Sequence, residues 1–225
     1  MNIAVLGTGM VGRAIAGRLA VLGHTVVVGT RDPGATSSRT EPDGMGNPPF
    51  STWHREQPAV GLASFADAAA GADLVVNASS GEATLDVLRL AGADHLAGKP
   101  LLDIANPLDF SQGFPPSLFV KDTDSLAEQV QRAFPQARVV KALNTLNADL
   151  MVEPQALGRS TTVFVSGDHA DAKALVVDLL ESFGHDDVID LGGLETARGT
   201  EMLLPIWLRL MQALGTPKFN LKVVR

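Results

Sequence analysis

Residues 2–22 run from an apolar stretch, NIAVLG, through glycines at positions 7, 9 and 12 into apolar residues at helical intervals. No other feature constrains the fold as much as this junction. NIAVLG is apolar on both faces, as a central strand of a helix-covered parallel sheet must be. Val11, Ile15, Leu19 and Leu22 recur at helical spacing, with Arg13 and Arg18 off the stripe and Gly23 at the stop. In the GxGxxG turn between them, Gly7 permits a tight turn and Gly9 lets a pyrophosphate approach the backbone. Gly12 lets the helix, opened by Met10 and Val11, pack closely on the sheet. The helix N–H groups then face the phosphates. A glycine turn without a ligand is the competing reading, and the flanking strand and helix argue against it. The expected fold is α/β, a doubly wound parallel sheet of Rossmann type.

Such a unit ordinarily carries Asp or Glu roughly twenty residues beyond the turn, to hold the adenosine ribose. Here the second strand, TVVVGT, ends in Gly29, Thr30 and Arg31. A carboxylate would repel a 2′-phosphate, whereas a hydroxyl and a guanidinium bind it, the latter bidentately. The expected cofactor is therefore NADP(H), discriminated from NAD by donors that NAD would leave unpaired. The competing reading makes Arg31 a solvated loop residue starting a turn with Asp32 and Pro33.

Composition narrows the function. The 225 residues are 45% hydrophobic and 19% charged, which is globular rather than disordered. Eighteen basic against 25 acidic residues give a net charge of −7, unsuited to nucleic acid or an anionic membrane. The absence of cysteine excludes disulfides, thiolate catalysis and Cys-ligated metals. The five histidines have no HxxxH or HxH spacing, so no metal site is legible. With no leader-like start and no long apolar run, the chain reads as cytoplasmic.

Further strands are expected at 73–79, 99–106, 137–145, 161–167 and in DVIDLGG, with helices in SLAEQVQRAF, DAKALVVDLLESFG and from Thr196 to Leu214. Residues 32–60, rich in Pro, Gly, Ser and Thr, read as a long insertion, either a lid or a surface excursion. The last helix places Leu203, Trp207, Leu210, Met211 and Leu214 on one stripe, suited to a core or dimer seam or to a cofactor cleft. Pro205 should kink it or mark its true first turn. FNLKVVR at the end alternates enough to be a strand that could pair with a partner subunit.

Three segments should end strands on the ligand edge of the sheet. They supply Asn77, Ala78 and Ser79; then Asn106, Pro107 and Leu108; then Lys141 and Asn144. Each alone could be a polar loop satisfying its own backbone; together they make a site credible. Neither a GxSxG elbow nor a kinase motif set is present. Hydride transfer between two bound cofactors needs no side-chain acid or base, only rings held at reacting distance away from water. Lys141 remains a candidate proton donor, and Asn144 and Lys141 are the candidate catalytic residues.

GTGMVG…VVVGTRDP, VVKALNT, VFVSGDHADAK and VIDLGGLETARGTEM together resemble the NADPH-dependent deazaflavin (coenzyme F-420) reductase family, nearly end to end. A related domain occurs in six-transmembrane ferric reductases. The resemblance implies a Rossmann domain over 1–147 and a small α/β domain over 148–225 that contributes a dimer contact. It also implies hydride exchange between NADPH and a flavin-like ring, deazaflavin coenzyme F-420 or a flavin, bound between them. By position, Thr8, Thr30 and Arg31 would hold NADP, and Ala78, Asn106, Pro107 and Leu108 would lie near its nicotinamide. The alternatives are an NADPH-dependent imine or carbonyl reductase of a small metabolite, and a non-catalytic NADP-binding regulator.

Overall fold

A computed structural model describes residues 1–42 and 46–225. The first units are β1 (Asn2–Leu6), α1 (Met10–Val21), β2 (Thr25–Thr30), α2 (Pro33–Ser38), α3 (Phe50–Glu56), β3 (Val60–Ser64), α4 (Phe65–Ala70) and β4 (Leu74–Asn77). Next come α5 (Thr84–Ala91), α6 (Ala93–Leu96), β5 (Pro100–Asp103), a small hairpin of β6 (Leu108–Asp109) and β7 (Ser117–Leu118), α7 (Leu126–Ala133) and β8 (Arg138–Ala142). The chain ends with α8 (Ala148–Val152), β9 (Val163–Gly167), α9 (Ala170–Phe183), β10 (Val188–Asp190), α10 (Ala197–Met202) and α11 (Leu204–Leu214).

Eight strands form one sheet in the order β10-β9-β8-β5-β4-β1-β2-β3. From β3 to β8 all neighbours are parallel. β9 runs antiparallel to β8, and β10 runs parallel to β9. The expected doubly wound sheet is thus present, with a short C-terminal extension added to its β8 edge. β1 shows why. Ile3 and Val5 point into a core shared with Ile15 and Leu19 of α1, Leu150 of α8 and Val176 of α9. Ala4 and Leu6 point into the opposite core with Phe65, Leu88 and Val130 of α4, α5 and α7. Burial on both faces requires helices on both faces. Among the described residues, no helix is long and apolar enough to cross a membrane.

Several expectations need correction. Residues 32–60 hold more regular structure than their composition implies. Asp32 caps α2 by accepting from Ala35 N at 2.9 Å, and Phe50 buries itself in the core beside α1. Positions 43–45 of that segment lie outside the described residues. The strand expected to run to Thr145 stops at Ala142, because Leu143 adopts φ +62°. The helix expected from Thr196 is a short 3-10 turn followed by two helices, with Pro205 in the first turn of α11. Leu204 and Leu208 are its buried positions; Leu214, placed on the expected stripe, is 55% exposed. Residues 219–225 form no strand. Instead Leu221 O accepts from Thr162 N and Thr162 Oγ1 from Val223 N, so the tail lies along the start of β9.

Candidate dinucleotide site

The sheet reverses its winding between β1 and β4, and the crevice beyond their carboxyl ends is where such folds take ligands. Gly7 sits there at φ +134°, and a Cβ on it would lie 2.5 Å from Ala78 O. A Cβ on Gly12 would lie 2.1 Å from Gly7 O. The chain's own packing therefore demands both glycines. Gly9 is different: its φ is −73°, and a Cβ would meet nothing within 4 Å. Nothing among the described residues explains a glycine there, but a ligand passing close to the backbone would. Gly9 also caps α1 without a side-chain bond, and no acid occupies the first turn. Among the described residues, the N–H groups that open α1 at Met10, Val11 and Gly12 have no acceptor, and they stand at the positive end of the helix. Thr8 holds the turn through its carbonyl, which accepts from Arg13 Nε at 2.9 Å.

At the end of β2, Thr30 is buried and its Oγ1 lies 2.8 Å from Thr36 Oγ1 of α2. One hydroxyl donates to the other, which leaves the pair a single O–H for a further acceptor. Arg31 is exposed and, among the described residues, makes no hydrogen bond or ion pair. Among the described residues, a cation free of partners stands where this fold usually has an acid. Pro48 and Phe50 lie against the first turn of α1: Arg13 Nη1 donates to Pro48 O at 2.6 Å and its guanidinium lies over Phe50.

Beyond β4 and β5 the polar groups form one connected set. Asn77 is fully buried and turned inward, so the structure removes it from the crevice surface. Its Nδ2 donates to Asp103 Oδ1 at 2.7 Å, and its Oδ1 accepts from Ser79 Oγ at 2.6 Å. Asp103 Oδ2 accepts from Lys141 Nζ at 2.8 Å, and Lys141 also pairs with Glu201 Oε1 at 2.8 Å and donates to Ala105 O. All three ammonium hydrogens are thus used, and the side chain is sealed from solvent. Burial pushes the Lys141 ammonium toward neutrality, but the Asp103 and Glu201 carboxylates outweigh it and hold its pKa above the ordinary lysine value. Glu201 is itself satisfied by the N-terminus of α7, accepting from Leu126 N at 2.7 Å and Ala127 N at 3.1 Å.

At the crevice edge, Asn106 and Asn144 hold each other. Asn106 Nδ2 donates to Asn144 O at 2.8 Å, and Asn144 Nδ2 donates to Asn106 Oδ1 at 3.0 Å and to Thr200 O at 3.1 Å. The loop carrying Ala78 and Ser79 clasps that carrying Asn106 and Pro107 so tightly that a Cβ on Gly81 would lie 1.9 Å from Asn106 O. Leu108 opens the β6–β7 hairpin. The structure therefore gathers Gly7–Gly12, Ala78, Ser79, Asn106–Leu108 and Asn144 along one edge, with Thr30 and Arg31 at its other end.

Sequence reasoning did not find Glu201, Asp103 or Thr200. One signal was available: a lysine inside the apolar strand VVKA must meet a buried counter-charge, because an unpaired ammonium is too costly there. Nothing local marked Glu201 as that partner.

The strand order, the open glycine and the uncapped α1 define a dinucleotide-binding protein of the Rossmann class. The chain belongs to the family of coenzyme F420-dependent NADP oxidoreductases. The family profile described as "NADP oxidoreductase coenzyme F420-dependent" matches residues 2–107. The F420-dependent NADP reductase of Methanothermobacter marburgensis is 31% identical over 217 residues, covering 93% of this chain and 92% of that one. A crystal structure from Arthrobacter sp. FB24, provisionally described as an F420-dependent NADP reductase, has 61% identity. It superposes with a TM-score of 0.95 over the whole of both chains. Rat metalloreductase STEAP3 is 29% identical over 211 residues; the match spans 92% of this chain but 38% of that protein.

Proposed function

We propose that this chain transfers hydride between NADPH and a flavin-like acceptor, with deazaflavin coenzyme F420 as the first candidate. The reading is carried by Gly9, the one fingerprint glycine that the protein's own packing does not require. When bound, NADPH supplies the hydride and the acceptor ring takes it up. Gly7–Gly12 and the start of α1 would bind the pyrophosphate through backbone N–H groups. Thr30 and Arg31 would bind the 2′-phosphate, and their present state favours this: one spare hydroxyl proton and a guanidinium without partners among the described residues. Ala78, Ser79, Asn106, Pro107 and Leu108 would shape the nicotinamide end. Lys141 acts beneath them as a positioning residue, tying the ends of β5 and β8 to α10.

This arrangement suits transfer between two rings better than reduction of a metabolite carbonyl or imine. Such a reduction needs a proton donor, and Lys141 has no N–H to spare. The division into a dinucleotide unit over 1–147 and an appendage over 148–225 is part of the proposal; the reversal of direction at β9 supports it. So is a homodimer, supported by Ile206 and Leu214 of α11, which are 53% and 55% exposed. A cytoplasmic location agrees with the lack of a spanning helix among the described residues.

The test is a spectrophotometric screen of NADPH oxidation against coenzyme F420, FMN, FAD, ferric chelates, quinones and a carbonyl and imine panel. Turnover with F420 or a flavin is expected. Turnover confined to carbonyls or imines, or NADPH binding without any turnover, contradicts the proposal.

A further inference from the structure

The Asn106–Asn144 pair has only one internally consistent orientation, and it follows from two backbone carbonyls. Asn144 O can only accept, so the Asn106 amide must turn its N–H₂ toward it, 2.8 Å away. That sets Asn106 Oδ1 facing Asn144, where it too can only accept. Asn144 therefore meets two fixed acceptors, Asn106 Oδ1 at 3.0 Å and Thr200 O at 3.1 Å, and must direct both N–H bonds at them. Its own Oδ1 is forced to the remaining side. No donor among the described residues reaches that oxygen, although Asn144 as a whole is only 3% exposed, and the oxygen is not sealed from solvent. The pair cannot flip without breaking these bonds. Leu143, held at φ +62°, and Thr200, next to the anchored Glu201, keep both ends of the arrangement in place.

We infer that Asn144 Oδ1 is a preset hydrogen-bond acceptor for the carboxamide N–H₂ of the nicotinamide ring, and a specificity-determining residue for that cofactor. The inference rests on the dinucleotide reading above. β8 lies three strands from β1 in the sheet order. At the usual spacing that is roughly 14 Å from the glycine turn, within reach of a ribose and a pyridine ring ending in its carboxamide. A fixed acceptor in a nearly buried position rejects a group that offers no proton, because the oxygen would be covered unpaired.

The probe is 3-acetylpyridine adenine dinucleotide phosphate, which has a methyl ketone in place of the carboxamide and so lacks the N–H donor. Its affinity and that of NADP+ are measured by calorimetry, without acceptor, for the wild type, Asn144→Leu and Asn144→Ala. Melting temperatures of all three proteins are taken alongside. The wild type is expected to favour NADP+ by roughly three- to tenfold, and both variants to bind the two dinucleotides within about twofold of each other. Asn144→Ala removes the oxygen without adding apolar bulk, so the comparison stands if the leucine variant does not fold.

A wild type without preference overturns the inference, as does a preference that persists in a folded variant. If the preference persists while the KM for F420 rises, the oxygen serves the acceptor ring instead, which also overturns it. Failure of the wild type to bind NADP+ at all would sink the dinucleotide reading itself and is distinguishable from these.

Discussion

Lys141 Nζ lies 2.8 Å from Glu201 Oε1, and both side chains are sealed from solvent. With Asp103 on the opposite side, this contact ties the last parallel strand to the helix that follows the C-terminal extension of the sheet. Removing the cation leaves two buried carboxylates facing each other. Lys141→Met is therefore expected to lose about 3–5 kcal/mol of stability, read by urea unfolding at pH 7. Because the folded-state pKa of Lys141 is raised, its contribution is whole below the unfolded lysine value of about 10.4 and fades only as pH rises through the folded value. The gap between wild type and variant should stay level from neutrality to about pH 10. A gap that closes near pH 8 would mean the ammonium is not held as described.

A second ion cluster anchors the C-terminal tail. Lys222 and Arg225 approach Asp187 at 2.7 and 2.8 Å, and Thr162 Oγ1 donates to it at 2.5 Å. Hydrogen bonds from Lys222 first, then Thr162 and Arg225, hold the Asp187 carboxyl well below the usual carboxylate range. A lowered acid stabilises above its unfolded pKa and stops doing so as pH falls toward the folded one. The double variant Lys222→Met, Arg225→Met should melt below the wild type at pH 7. The difference should shrink as pH drops beneath about 3.9. A difference unchanged down to pH 2 would assign the tail's contribution to packing.

The fingerprint glycines separate folding from binding. Gly12→Ala would drive a Cβ to 2.1 Å from Gly7 O and should cost about 1–3 kcal/mol of stability. Gly9→Ala meets no atom within 4 Å and has an ordinary φ, so its stability should stay within about 1 kcal/mol of wild type. The same change should weaken NADPH by on the order of 1 kcal/mol or more, because it fills the approach to the backbone. Calorimetry and thermal melts on both variants decide the matter. Undiminished NADPH binding by Gly9→Ala would remove the observation that carries the proposed function.

Much of this architecture was legible because its signals are local. NIAVLG and GTGMVG announce a strand and its turn within a dozen residues. β3 was not legible. It is a short edge strand, VGLAS, whose residues after Val60 are only half-buried, and it follows a segment whose prolines and glycines suggest a loop. α4, FADAAA, is a single short stretch rich in alanine and carries no clear stripe. The ends of β1, β2, β5 and β8 could be read as a common edge, since parallel strands deliver their carboxyl ends together. The Glu201–Lys141–Asp103–Asn77 chain could not. Its members come from three strands and a distant helix, and only tertiary packing decides which acid meets the buried lysine. The inward turn of Asn77 was hidden for the same reason.

The most direct measurement is the affinity of wild type and Arg31→Ala for NADPH and NADH. Arg31 has no partner to lose among the described residues, so the variant should fold and melt as the wild type does. It should lose about 1.5–3 kcal/mol toward NADPH, the worth of a charge-assisted contact, and change little toward NADH. Equal losses for the two dinucleotides, or none for either, would contradict a phosphate site at the end of β2.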